Sequence, residues 1–223
     1  ASYALKATVS DAAGNAASEF TSSRSMYVAL TGPAVTEVKP SWLATTDSSL
    51  NAAETAVNGT VAIKTAGIEA GKTVTVTLNG KDYTATVGND GISSTVTVPK
   101  EDLAALTDGS NYSLSVQTAA SDASNLSASL TGAAPFKVDK TAPATGSLGL
   151  VDFTNTALVP ANGNVSSDNT FSLNLSGQEA GSTVVYQRQT GSSWLDTSAA
   201  QSNLSDGQYV YRAQVKDAAG NVA

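Results

Sequence analysis

The chain has 223 residues, 41% hydrophobic, 6% aromatic and 14% charged, with a net charge of −7 and neither Cys nor His. That excludes disulfides, thiolate metal sites and Ser-His or Cys-His nucleophilic catalysis. The 12 Lys and Arg are scattered, so nucleic acid is not an expected partner, and no apolar run approaches the ~20 residues that span a bilayer.

In chain order, Tyr3–Val9 alternates, placing Tyr3, Leu5, Ala7 and Val9 on one inward face, and runs into Asp11-Ala-Ala-Gly-Asn15. A final strand follows over 20–30, ending before Pro33, because Pro lacks a ladder donor and marks a strand end. The stretch Ala66-Gly-Ile-Glu-Ala-Gly71-Lys72-Thr73 resembles a phosphate-binding loop. That chemistry needs a helix after the loop, and here a strand follows, so the stretch reads as a turn.

Thr73–Leu78 alternates with Val74, Val76 and Leu78 inward. Asn79-Gly80 is a two-residue hairpin turn, needing positive φ at both positions. The return strand Asp82–Val87 turns Tyr83, Ala85 and Val87 inward; Asn89-Asp90-Gly91 makes the next turn and Ile92–Val98 the next strand. Pro99–Leu106 reads as a helical turn or two, with acids in its first turn and Leu103 and Leu106 on one side.

The strongest signal is internal repetition. Tyr3–Asn15 recurs without a gap as Tyr209–Asn221, both ending Asp-Ala-Ala-Gly-Asn, and a weaker copy ends Asp122-Ala-Ser-Asn125. Asp11, Asp122 and Asp217 stand about 100 residues apart, the size of one immunoglobulin-like sandwich. Pro33 and Pro143 show the same spacing. The expectation is an all-β chain of tandem immunoglobulin-like β-sandwich repeats in an elongated array. Residues 1–32 are read as the closing strands of one repeat, 33–142 as a complete repeat, and 143–223 as a repeat lacking its final strand. Because the first residues read as mid-strand, the chain is expected to be a section of something longer.

Paired carboxylates could cleave glycosides, but the acids fall mainly in turns and two Trp do not line a cleft, so the chain is not read as an enzyme. Trp42 and Trp194 are read as packing residues. No flat array or aromatic platform suggests direct ice or glycan binding. The acids suit a hard cation better. Asp11, Asp122 and Asp217 end equivalent strands, Asp139 lies in a linker, and Asp47, Asn51 and Glu54 lie in an opening loop. Their oxygens are candidates to converge on structural Ca2+, which takes 6–8. For Asp11 and Asp217 the competing reading is turn chemistry.

Taken together, Leu50-Asn-Ala-Ala-Glu54, Ala70–Val87, Val98–Leu106, the Asp-Ala-Ala-Gly-Asn turns and Asp139-Lys-Thr-Ala-Pro143 resemble the immunoglobulin-like extender repeats of giant, type I-secreted (RTX-like) bacterial adhesins. Gly177–Val184, Trp194 and Leu204–Tyr209 resemble them too. The resemblance implies an extracellular, cell-surface stalk serving adhesion and biofilm formation, with Ca2+ at its repeat junctions. The sites it points to are Asp139, Asp122, Asp47 and Glu54, then Asp11 and Asp217, with neighbouring repeats as partners. Ala29, at the position matching Asp139, departs from the pattern. The competing expectation is a fibre subunit that assembles with itself head to tail by strand donation.

Overall fold

β-Branched residues alternating with small polar ones, punctuated by Gly and Asn, make strands of most of the chain. The computed structural model describes residues 2–27, 32–43, 47–122, 125–152 and 168–223, and side chains throughout these except at 2–4 and 22–27. Ala29 and the end of the expected 20–30 strand lie outside the described residues. The protein is all-β with immunoglobulin-like sandwiches, and it divides into two compact units. The first comprises Ala1–Thr46, Thr55–Leu106 and Asn111–Lys137, and the second Asp47–Glu54, Thr107–Ser110 and Val138–Ala223.

The first unit opens with an antiparallel pair, β1 (Ser2–Ala7) and β2 (Phe20–Tyr27). Leu5 and Val9, expected inward, are 58% and 67% exposed, and Phe20 is 69% exposed. Burying an alternating face needs a second layer, and among the described residues β1 and β2 form a sheet of two strands.

β3 (Ala34–Pro40) leads into a 3₁₀ turn, Ser41–Leu43, that carries Trp42 inward. In the second unit, β4 (Ser49–Asn51) runs into the short helix α1 (Ala52–Thr55). The first unit resumes with β5 (Gly59–Ala66), β6 (Thr73–Leu78), β7 (Lys81–Thr86), β8 (Ser93–Val98), the helix α2 (Lys100–Ala104) and β9 (Asn111–Thr118). β10 (Ser129–Asp139) crosses from the first unit into the second. One sheet has the order β3-β5-β8 and the other contains β10-β9-β6-β7, the layered arrangement of the immunoglobulin fold. The core takes in Val74, Val76 and Leu78 on β6, as the alternation led one to expect, together with Val61 and Ile63 on β5, Val96 and Val98 on β8, and Leu114 and Val116 on β9, all essentially sealed. Pro99 is the residue preceding α2, not its first turn, and Leu103 and Leu106 are buried as expected.

The second unit places β4 beside β10 in the strand order. It continues with β11 (Thr145–Val151), β12 (Phe171–Gln178), β13 (Thr183–Thr190), β14 (Ser193–Thr197), β15 (Ala200–Gln201) and β16 (Tyr211–Lys216). Among the described residues its strands pair in the orders β11-β12-β15 and β14-β13-β16. Phe171, Leu173, Leu175 and Val215 are buried, and Phe171 meets Tyr211 edge-on at 5.8 Å. The alternation of the duplicated strand holds here, with Val215 in and Val210, Arg212 and Lys216 out.

Candidate functional site

The two Asp-Ala-Ala-Gly-Asn segments fold into the same turn. The amide of Asp11 donates to the Asn15 carbonyl at 2.9 Å and that of Asp217 to the Asn221 carbonyl at 3.1 Å. Each Asp carboxylate then closes the turn from inside. Oδ1 accepts from the Asn backbone amide, at 2.9 Å in the first and 2.8 Å in the second, and Oδ2 accepts from the Asn side chain at 2.9 Å in both. Glycine is required at the fourth position, where φ is +88° at Gly14 and +92° at Gly220. These bonds hold the Asp11 carboxyl below its ordinary range, the Asn15 side chain contributing most. Both carboxylates therefore do the turn chemistry that competed with ligation.

The surroundings of the two turns differ. Asp11–Asn15 is exposed throughout, whereas Asn221 and Ala219 are 6% and 3% exposed. Asn221 uses its whole carboxamide. Nδ2 donates to the Asp139 carbonyl at 2.9 Å as well as to Asp217, and Oδ1 accepts from the Ala52 amide at 2.9 Å. Asn51 Nδ2 donates in return to the Ala219 carbonyl at 3.0 Å. Loop 47–54, Asp139 and turn 217–221 thus meet within the second unit.

Leu50-Asn-Ala-Ala-Glu54 has a local reason for its sequence. Asn51 Oδ1 accepts from the Glu54 amide at 3.0 Å, and Glu54 Oε2 accepts from the Asn51 amide at 2.9 Å. This is the reciprocal capping box of a helix start, here opening α1. The Asn-x-x-Glu spacing carried that signal, which the sequence reading assigned to ligation. Burial, and then the negative charge of Asp47, push the Glu54 carboxyl up, against the lowering effect of the Asn51 amide.

The middle copy is built differently. It lacks the turn glycine, and Asp122 pairs with Lys72 at 2.5 Å on the surface. Glu69 closes that turn instead, accepting from the Ser121 hydroxyl at 2.6 Å and the Asp122 amide at 3.1 Å. Lys72, from the phosphate-loop lookalike, is therefore engaged in an ion pair, and strand β6 follows it as the turn reading required. Asp108, read only as the end of a helix, pins the following linker. It accepts from the Lys140 amide at 2.7 Å and the Thr141 hydroxyl at 2.6 Å, contacts that lower its own pKa, Thr141 first.

No protein-family model and no curated protein matches the chain. Solved structures do. One, described as a Ca2+-stabilized adhesin that helps an Antarctic bacterium reach out and bind ice, is 26% identical over 100% of this chain with a TM-score of 0.55. A second, from a 1.5-MDa bacterial ice-binding adhesin, is 20% identical over 99% of the chain, also with a TM-score of 0.55, and 70% of that structure is covered. In fold, the chain is similar to parts of these two bacterial adhesins. A bacterial immunoglobulin-like domain of the M. primoryensis ice-binding adhesin is 28% identical over 48% of this chain and 96% of its own length, with a TM-score of 0.34. The chain spans about half the length of the first of these structures, 54% of it.

The acids of this adhesin-like chain fit calcium only in part. Among the described residues no three acidic side chains stand close enough together to hold a metal ion. The charge of Asp47 helps to raise the Glu54 carboxyl, and Asp139 belongs to the same unit. Asp11 and Asp217 accept hydrogen bonds within their turns, and Asp122 pairs with Lys72. A divalent ion between Asp47 and Glu54 would relieve the repulsion that helps to raise the Glu54 carboxyl.

Proposed function

We propose that the chain is a structural extender module in the stalk of a large bacterial surface adhesin, extracellular, projecting a binding tip away from the cell for adhesion and biofilm formation. The observation that carries this reading is full-length similarity in fold to an adhesin at 26% identity. It agrees with the repeated turn and with inward sets spent on packing. The neighbours are adhesins, not enzymes, and no long apolar helix crosses a membrane among the described residues. Partners of such a module are neighbouring repeats of its own chain.

Structural Ca2+ belongs to the same proposal, with Asp47, Glu54 and Asp139, which share the second unit, as its first ligands. What the ion would supply is charge neutralisation and a fixed angle between segments that a Lys140-Thr141-Ala142-Pro143 linker joins. Small-angle scattering with calcium and with chelator tests both parts. A rod-like profile that loosens on chelation is expected; a compact profile overturns the stalk reading, and identical profiles overturn the calcium part alone.

One observation favours a second reading, self-assembly by strand donation. Leu5 on β1, Val9 just beyond it and Phe20 on β2 are more than half exposed, an apolar surface of the kind that another strand or sheet covers. Size-exclusion chromatography across concentration separates the readings: the extender stays monomeric, the fibre subunit does not.

A further inference from the structure

The same five-residue turn occurs twice in the same geometry, once docked and once bare. The docked copy, Asp217–Asn221, receives the loop Leu50-Asn-Ala-Ala-Glu54 through a reciprocal set of contacts. The Ala52 amide donates to Asn221 Oδ1, Asn51 Nδ2 donates to the Ala219 carbonyl, and Asn221 Nδ2 also reaches the Asp139 carbonyl. The fit is close. A Cβ on Gly220 would lie 3.1 Å from Asn51 Nδ2, so the glycine serves both its positive φ and the approach of the loop. The capping box presets the loop for this. It bends Asn51–Glu54 into a helical turn and leaves the Ala52 amide, an orphan donor of a helix start, to find an acceptor outside.

The bare copy repeats the parts. The bridge Ser10↔Ala16 matches Lys216↔Val222, and the Ala17 amide reaches the Val9 carbonyl at 2.7 Å as the Ala223 amide reaches Val215 at 2.9 Å. Asn15 is held by Asp11 as Asn221 is by Asp217, yet it is exposed. We infer that Asp-Ala-Ala-Gly-Asn is a docking plug for a capping-box loop, and that the exposed turn Asp11–Asn15 takes a second Leu-Asn-Ala-Ala-Glu loop carried by another repeat of this kind. The recognition chemistry is an Asn carboxamide and a Gly-flanked carbonyl meeting a helix-start amide and an Asn side chain. The contacts across the joint are hydrogen bonds between neutral groups. The middle turn, Asp122–Asn125, has no such glycine and is closed by Glu69, so it is not a plug of this type.

The inference rests on the tandem-repeat reading, and the test separates the two. It uses the full chain and an extended chain in which residues 33–208 precede Tyr3, so that a Leu50–Glu54 loop stands ahead of the exposed turn at the same chain distance as in the docked copy. In the present chain Asn221→Ala lowers the melting temperature by roughly 5 °C, while Asn15→Ala moves it by no more than about 2 °C. In the extended chain Asn15→Ala becomes as costly as Asn221→Ala. If Asn15→Ala stays neutral in the extended chain while Asn221→Ala remains costly, the docking role of the first turn is overturned. If Asn221→Ala is itself neutral, the plug is overturned altogether. Failure of the tandem reading shows differently, as an extended chain whose maximum scattering dimension does not exceed that of the present one.

Discussion

Gly59 lies directly beneath the indole of Trp42. A Cβ at residue 59 would fall 2.5 Å from Cζ3 and 2.6 Å from Cε3 of that ring, and 3.0 Å from a Leu103 methyl. The ring has no room to retreat: Trp42 is 3% exposed and meets Phe136 edge-on at 5.8 Å. Overpacking at such a site forces off-rotamer side chains or a backbone shift. Gly59→Ala is therefore expected to destabilise the protein by about 1–3 kcal/mol, read as a lower urea midpoint at unchanged slope. An unchanged midpoint would mean that Trp42 is not fixed where the packing puts it.

Asn79 and Gly80 both have positive φ, +50° and +75°, and they join β6 to β7 in register from Thr73↔Thr86 to Leu78↔Lys81. Gly80→Ala places a Cβ in a left-handed conformation where open space surrounds it, so the cost is backbone strain alone, about 1–2 kcal/mol. Thermal melting checks this. A loss much larger than that would indicate a slipped register and not local strain.

Tyr83 is buried on β7 and its hydroxyl donates to Asp102 Oδ2 at 3.0 Å. Burial, and then that carboxylate, push the phenol up to about 12. The folded state thus holds its proton more tightly than the unfolded chain, whose tyrosines ionise near 10. The resulting stability is full below about pH 10 and is lost as pH rises towards 12. Near-ultraviolet absorbance titration should show a late-ionising phenolate in the wild type that is missing in Tyr83→Phe, leaving that of Tyr211, which burial also raises.

The strands were legible in the sequence wherever two layers meet. Val74, Val76 and Leu78 point inward because alternation in a covered sheet has only one consistent register. The same pattern misled at Leu5 and Val9, since periodicity states which residues share a face but not whether anything covers it. The acids were the harder part. Asp11 and Asp217 accept hydrogen bonds within their own turns, contacts that Asp-Ala-Ala-Gly-Asn carries in its own spacing. The contacts that join loop 47–54 to turn 217–221 come from Asn51 and Asn221, neutral side chains that composition does not single out. Their sequence separation places them beyond any local pattern, although the Asn51-x-x-Glu54 capping spacing was there to be read.

Glu54 offers the cleanest test of the calcium proposal. Its carboxyl is raised by burial and by Asp47 while accepting the Asn51 amide. A raised carboxyl means the folded state prefers the protonated form, so the stability it contributes is full below the ordinary pKa near 4.3 and is lost as pH rises through the folded value. At neutral pH without calcium, Glu54→Gln removes that cost while its Oε1 still accepts the Asn51 amide. The variant is expected to melt about 1–3 °C above the wild type. Calcium reverses the order, because the ion stabilises only the protein that presents both carboxylates, by mass action on the folded state. Melting curves of both proteins with calcium and with chelator decide it. An equal calcium increment in the two would remove Glu54 from the ligand set, and a chelator-insensitive wild type would remove the ion.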